Sequence, residues 1–112
     1  IYWNMVLEPK GRSTWGWEQN SLITADPERK EAIFNPEYYV MKHFSHFVAP
    51  GSKRIGQRGH WYGNAVSCER PDGGRVIVIA NPFKETRTVR ISDGTETYGF
   101  ELEPESFNTI WF

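Results

Sequence analysis

The chain opens on a mostly apolar run, Ile1-Tyr2-Trp3-Asn4-Met5-Val6-Leu7, which predicts a buried strand over residues 1–7. Chain ends are usually polar and frayed, so an apolar opening predicts a piece of a larger fold that begins in mid-structure. From 8 to 34 the periodicity is lost. Gly, Pro, Asn and Ser dominate, and a charge run, Asp26-Pro27-Glu28-Arg29-Lys30-Glu31, sits near the end. The pattern predicts one long irregular stretch, and a connection of that length inside a compact domain is usually functional. A helix follows. Asn35 suits the N-cap, Pro36 the first helical position, and Glu37 faces the positive end of the helix dipole. Val40, Phe44, Phe47 and Val48 recur at helical spacing, and Pro50-Gly51 ends the helix.

After residue 52 the period changes to two. Asn64–Cys68 reads as a strand, and Pro71-Asp72-Gly73-Gly74 as a hairpin turn. Val76–Ala80 is apolar on both faces and reads as a central strand, ended by Asn81-Pro82. Thr86–Ser92 puts Val89 and Ile91 on one face, and Asp93-Gly94 is a second hairpin turn. Tyr98, Phe100 and Leu102 alternate with polar or small residues, Pro104 interrupts, and Phe107–Phe112 forms a last strand. The predicted fold class is mainly β. An antiparallel β-sandwich over 50–112 is preceded by one strand, a long loop and one helix over 1–49. About 60 residues is small for an independent core, so the sandwich is expected to lean on the helix or on further sequence.

Bulk properties narrow the function classes. The chain has 112 residues, 38% of them hydrophobic and 15% aromatic, with 13 basic against 14 acidic side chains. That balance gives no electrostatic footprint for nucleic acid, and no apolar run reaches the ~18–20 residues of a membrane span. No cofactor motif is present. Cys68 is the only cysteine, which leaves no disulfide framework, and it reads as a core residue.

The candidate chemistry is aromatic. Three of the five tryptophans, Trp3, Trp15 and Trp17, fall in the first 17 residues, and Gly16 between the last two lets the backbone turn and splay both rings. Flat apolar faces ringed by polar groups suit sugars, whose axial C–H groups stack on π faces. Core packing explains Trp3 equally well. Asn4, Glu18, Gln19 and Asn20 are placed to hydrogen-bond beside the rings or to stabilise the loop. Glu8 and Glu18 could be considered as a hydrolytic carboxylate pair, but that chemistry needs two rigidly held carboxyls at about 5.5 Å or about 6.5–9.5 Å, and both residues lie in or beside a loop flanked by Pro and Gly. His43 and His46 stand three apart near the helix end without a third His or Cys nearby, so helix-end polar contacts are expected rather than a metal site. His60 precedes an aromatic loop, Trp61-Tyr62-Gly63.

An ordered series of segments resembles glycoside hydrolase family 30, the glucosylceramidase family. Tyr2-Trp3-Asn4-Met5-Val6-Leu7-Glu8-Pro9-Lys10-Gly11, Trp15 and Asn20-Ser21-Leu22-Ile23 resemble its last barrel strand and the following loop. Asn35-Pro36-Glu37-Tyr38-Tyr39, through His43–Val48 to Pro50–Gly56, is similar to its last barrel helix and the exit into a β-sandwich. Arg75–Asn81 and Pro104–Phe112 are similar to that sandwich's strands. The resemblance implies that residues 1–49 belong to a (β/α)8 barrel in a parent enzyme that hydrolyses β-glycosidic bonds with retention. It also implies that the two catalytic Glu residues lie on barrel strands outside this chain. Trp3 matches the family Trp lining the sugar-binding floor, at the face where barrel sites are built, and the Trp15–Trp17 loop would form a rim. Tyr2 departs from the family, which carries an acidic residue there.

The sequence therefore predicts the C-terminal part of a retaining β-glycosidase. Trp3, Trp15 and Trp17 would bind a β-glycoside substrate, and there would be no catalytic or metal-binding residue in this segment, no cofactor, and the remainder of the barrel as partner. The alternative is a stand-alone carbohydrate-binding β-sandwich that binds sugar without cleaving it. Exposed apolar surface on residues 1–7 predicts self-association of the isolated piece.

Overall fold

A computed structural model describes residues 2–112. The chain folds as two units, one ending at Lys42 and one running from His43 to Phe112, with the boundary inside a helix.

In the first unit, β1 (Val6–Leu7), β2 (Ile23–Asp26) and β3 (Glu31–Phe34) form a three-stranded sheet in that order. β1 runs parallel to β2, with Val6 opposite Ile23, and β2–β3 is an antiparallel hairpin. The expected strand over 1–7 is thus reduced to two residues, and its first position, Ile1, lies outside the described residues. The cause is Asn4, whose backbone adopts a left-handed φ of 65°. Asn tolerates that region, but it breaks the pleat. The carbonyls of Asn4 and Met5 still accept from the N–H groups of Leu22 and Ile23, so the segment is tied to β2 without being a strand.

The β2–β3 hairpin also replaces part of the irregular stretch expected over 8–34. The charge run is its turn. The Asp26 carboxylate accepts the backbone N–H groups of Glu28 and Arg29, both at 3.0 Å, and Lys30 takes the positive φ that closes the turn. Helix α1 (Pro36–Phe47) begins where expected. The Asn35 carbonyl accepts the Tyr38 N–H, but the Asn35 side chain serves the sheet instead of capping. Its amide donates to the Ser21 carbonyl at 2.8 Å and to the Thr24 hydroxyl at 3.0 Å.

The second unit is two-layered. β4 (Lys53–Ile55), β5 (Ala65–Glu69), β6 (Arg75–Asn81) and β9 (Ser106–Trp111) form an antiparallel sheet in that order, and β7 (Arg87–Ser92) pairs with β8 (Thr97–Leu102). The sequence missed β4, which has only three residues, two of them basic. β6 is buried on both faces, as its apolar run predicts. Ile77 and Ile79 point into a core with Val89 of β7 and Leu102 of β8, flanked by Trp61, Ile91 and Phe100. The other face continues on β9, where Thr109 and Trp111 stand opposite Val78 and Val76. There the second half of α1 supplies its contacts. The His43 Nδ1 lies 2.8 Å from the Thr109 hydroxyl, and the Phe47 ring is 5.4 Å from that of Trp111. Two-sided burial is what makes β6 the spine of this unit.

Candidate functional site

The site is built by the turns that precede β2. Glu8–Gly11 forms the first turn, closed by the Gly11 N–H donating to the Glu8 carbonyl at 2.9 Å, with Lys10 and Gly11 at φ of 68° and 42°. Gly11 is a close-approach position. A Cβ there would sit 2.6 Å from the Gln19 carbonyl oxygen and 2.7 Å from Leu7 Cδ1, so only glycine lets this turn pack against the Gln19 backbone.

The second turn is organised by Ser13. Its carbonyl accepts the Gly16 N–H at 2.9 Å, and its N–H donates to the Trp17 carbonyl at 3.0 Å. Its hydroxyl accepts the N–H groups of Trp15 at 3.3 Å and Trp17 at 3.2 Å. Gly16, at φ of 76°, reverses the chain between the two tryptophans. A tight loop with an internal frame thus projects two aromatic rings. Trp15 is 78% exposed and Trp17 66%.

Trp3 is 82% exposed. Its neighbour Asn4 donates from its amide to the Gln19 side-chain oxygen at 2.6 Å. That side-chain bond links the residue after Trp3 to the segment that follows Trp17. Among the described residues, none of the three rings pairs with another aromatic. For Trp3, the packing explanation finds no counterpart within its own unit.

Beside the Trp turn is a cleft of about 320 Å³. Glu8 and Lys10 reach it from the first turn, Glu18, Gln19 and Asn20 from the segment after Trp17, and Glu37 from the first turn of α1. The sequence suggested Glu18, Gln19 and Asn20 as polar companions of the rings. It read Glu37 only as a helix-dipole partner and gave Lys10 no role, because nothing local shows that turn and helix start converge. Glu8 and Glu18 do share this cleft, but both are exposed, and no described hydrogen bond or ion pair orients either. They lack the rigidly held geometry that a hydrolytic carboxylate pair needs.

The histidines take up structural contacts. His43 bonds Thr109, and burial holds its pKa below the ordinary value. His46 meets the edge of Phe47. No group of three or more potential metal ligands occurs among the described residues, and no helix among them is long and apolar enough to cross a membrane. In the second unit, the loop before β5 is held by Gln57, which donates to the carbonyls of Tyr62 and Ala65 and accepts from the Ser67 hydroxyl.

Comparison with known proteins gives a consistent picture. Residues 51–110 match the glycosyl hydrolase family 30 beta sandwich domain. The lysosomal acid glucosylceramidase of Mus musculus is 32% identical over 96 residues, covering 81% of this chain and 18% of its own length. The crystal structure of SrfJ from Salmonella typhimurium superposes with a TM-score of 0.90 at 26% identity, over 98% of this chain and 25% of that one. The endo-beta1,6-glucanase BT3312 superposes with a TM-score of 0.79 at 25% identity, over 97% of this chain and 25% of that one. The chain thus spans roughly a fifth to a quarter of the length of these relatives.

Proposed function

Because this chain belongs to glycoside hydrolase family 30 and carries its β-sandwich domain, we propose that it is the C-terminal part of a retaining β-glycosidase of the glucosylceramidase type. In such an enzyme one carboxylate attacks the anomeric carbon while a second protonates the leaving oxygen. Water then releases the sugar from the covalent intermediate. Both carboxylates would come from barrel strands outside these residues. This chain would supply the aromatic surface that holds the sugar, with Trp3 as floor and Trp15 and Trp17 as rim. The supporting observation is the exposure of those three rings on hydrogen-bonded turns, in a chain whose relatives include glucosylceramidases.

Physically, the division of labour is reasonable. A stacked ring restricts the sugar's position, and correct positioning of reactants lowers the barrier by several kcal/mol. Neither Glu8 nor Glu18 is held firmly enough to perform the chemistry itself. The 112-residue chain alone is therefore inactive.

The test uses the full-length protein. Trp3→Ala is expected to lower kcat/KM for an aryl β-glucoside by about 100-fold, and Trp15→Ala or Trp17→Ala by about 10-fold, where each tenfold step corresponds to about 1.4 kcal/mol of transition-state binding. Thermal stability should stay within about 0.5 kcal/mol, as for other surface substitutions. Unchanged kinetics would remove the aromatic assignment. Turnover by the isolated 112-residue chain would refute the placement of the catalytic pair elsewhere.

A second reading has one observation in its favour: all three exposed rings, Trp3, Trp15 and Trp17, belong to this chain. A carbohydrate-binding module would show sugar-dependent Trp fluorescence in the isolated chain, and no hydrolysis in the full-length protein.

A further inference from the structure

In the second unit a four-stranded sheet faces a sheet of only two strands. We propose that a further β-strand, from the part of the full-length protein outside these residues, pairs with the free edge of β7 and closes the sandwich. It rests on one part of the reading above, that the chain belongs to a longer protein.

The backbone of β7 points to it. Among the described residues β7 pairs only with β8. The Asp93 N–H donates to the Glu96 carbonyl at the hairpin turn, and bonded and non-bonded positions alternate along an antiparallel pair. Arg87, Val89 and Ile91 therefore direct their backbone groups at β8. Thr88, Arg90 and Ser92 direct theirs the other way, and none of the three has a described backbone bond outside the hairpin. Such a row of unpaired N–H and C=O groups is a template for another strand.

The same three residues line a cleft of about 1290 Å³. Its floor is the inner face of the larger sheet. Ile55 of β4 stands opposite Ser67 of β5, Ser67 opposite Ile77 of β6, and Ala65 opposite Ile79. Burial on that face is uneven. Ile77 and Ile79 are 8% and 2% exposed, packed with Val89 and Leu102. Ile55 and Ala65, and Ile91 on β7, stay half-buried. The apolar face is thus covered at β6 and left half open towards its β4 edge, beside the unpaired edge of β7.

Size selects the occupant. A strand rises about 3.3 Å per residue, lies about 4.8 Å from its neighbour and fills a layer about 10 Å thick, so six residues take on the order of 1,000 Å³. The cleft matches that, at or beyond the upper end of small-molecule sites, about 300–1,000 Å³. The strand would carry apolar residues at alternate positions, to meet Ile55, Ala65 and Ile77, and polar ones between them. Relatives have ample chain to supply it: SrfJ superposes on 98% of this chain with only 25% of its own. A second copy could offer its own β7 edge to edge, but Val89 of that strand is already committed to its own core, so no apolar face would enter the cleft.

The experiment is residue-resolved amide hydrogen exchange on the full-length protein. Val89 and Ile91 bond β8 in any case. The deciding amide is Arg90, which is expected to exchange at least about 100-fold more slowly than in an unstructured peptide of the same sequence. A smaller slowing at Arg90 overturns the proposal. Photo-cross-linking from benzoylphenylalanine in place of Thr88, an exposed position, then identifies the occupant in a mixture of isotopically heavy and light protein. A cross-link within one molecule to a segment outside these 112 residues is expected. Cross-links between heavy and light copies, or none beyond these residues, overturn the proposal. Both readouts are independent of turnover, so an inactive protein with a protected Arg90 removes the glycosidase reading and keeps the strand.

Discussion

Asn81 is 1% exposed at the end of β6. Its amide nitrogen donates to the carbonyls of Glu85 at 2.9 Å, Leu102 at 3.1 Å and Glu103 at 2.9 Å, and its oxygen accepts the Phe83 N–H at 3.1 Å. One side chain thus closes the loop between the two layers and satisfies backbone groups from both. Asn81→Ala would leave buried carbonyls unpaired, and the expected loss is about 1–3 kcal/mol, read from the midpoint of chemical denaturation. Asn81→Ser, which restores part of the bonding, should recover some of it. From the sequence, Asn81-Pro82 was legible as the end of a strand. Its partners were not, because two of the carbonyls lie more than 20 residues away. The tryptophans show the opposite case. Their exposure could be foreseen at Trp15 and Trp17, since a Gly between two loop aromatics leaves them no core to enter. Trp3 was ambiguous in an apolar run, and the left-handed backbone at Asn4 decided it.

At the scale of elements, the contact between α1 and β9 carries a pH dependence. His43 packs near Phe107 and bonds the Thr109 hydroxyl, and Lys42 and His46 stand near it on the same helix. Burial lowers its pKa, so the unfolded chain takes up the proton first. The His43 contribution to stability is therefore complete above the unfolded pKa of about 6.5 and is lost as the pH falls towards and through the lower folded value. Melting temperature should fall between about pH 7 and pH 5, and His43→Gln should flatten that part of the profile. An identical slope in the variant would assign the effect to other groups. The hairpin β7–β8 was legible because Asp93-Gly94 supplies its turn chemistry. There the Asp93 carboxylate accepts the Thr95 and Glu96 N–H groups at 2.8 Å, and those bonds, Glu96's first, hold its pKa below the usual carboxylate range. The hairpin β2–β3 escaped sequence reading because each strand is four residues long and its turn resembles a solvated charge run.

At the scale of the whole molecule, composition and pattern sufficed for a mainly β architecture, and the order of short segments for the family. The polar cleft was hidden, since its side chains come from three stretches that meet only in the folded chain. Trp3, Met5, Val6, Trp15 and Trp17 all belong to one unit and are exposed by half or more, more apolar surface than monomers usually leave open. The isolated 112-residue chain should accordingly self-associate. Sedimentation at rising concentration should show an increasing average mass, and the Trp15→Ala/Trp17→Ala double variant should weaken the trend.

Cys68, 8% exposed near the end of β5, faces a different future from the aromatics. A thiol reagent reaches it freely only when the packing over that strand opens. The chain thus contains a built-in reporter of local opening. Peptide-resolved labelling rates, set against those of an unfolded peptide, convert directly into the free energy of that fluctuation. They would measure how independently the sandwich breathes.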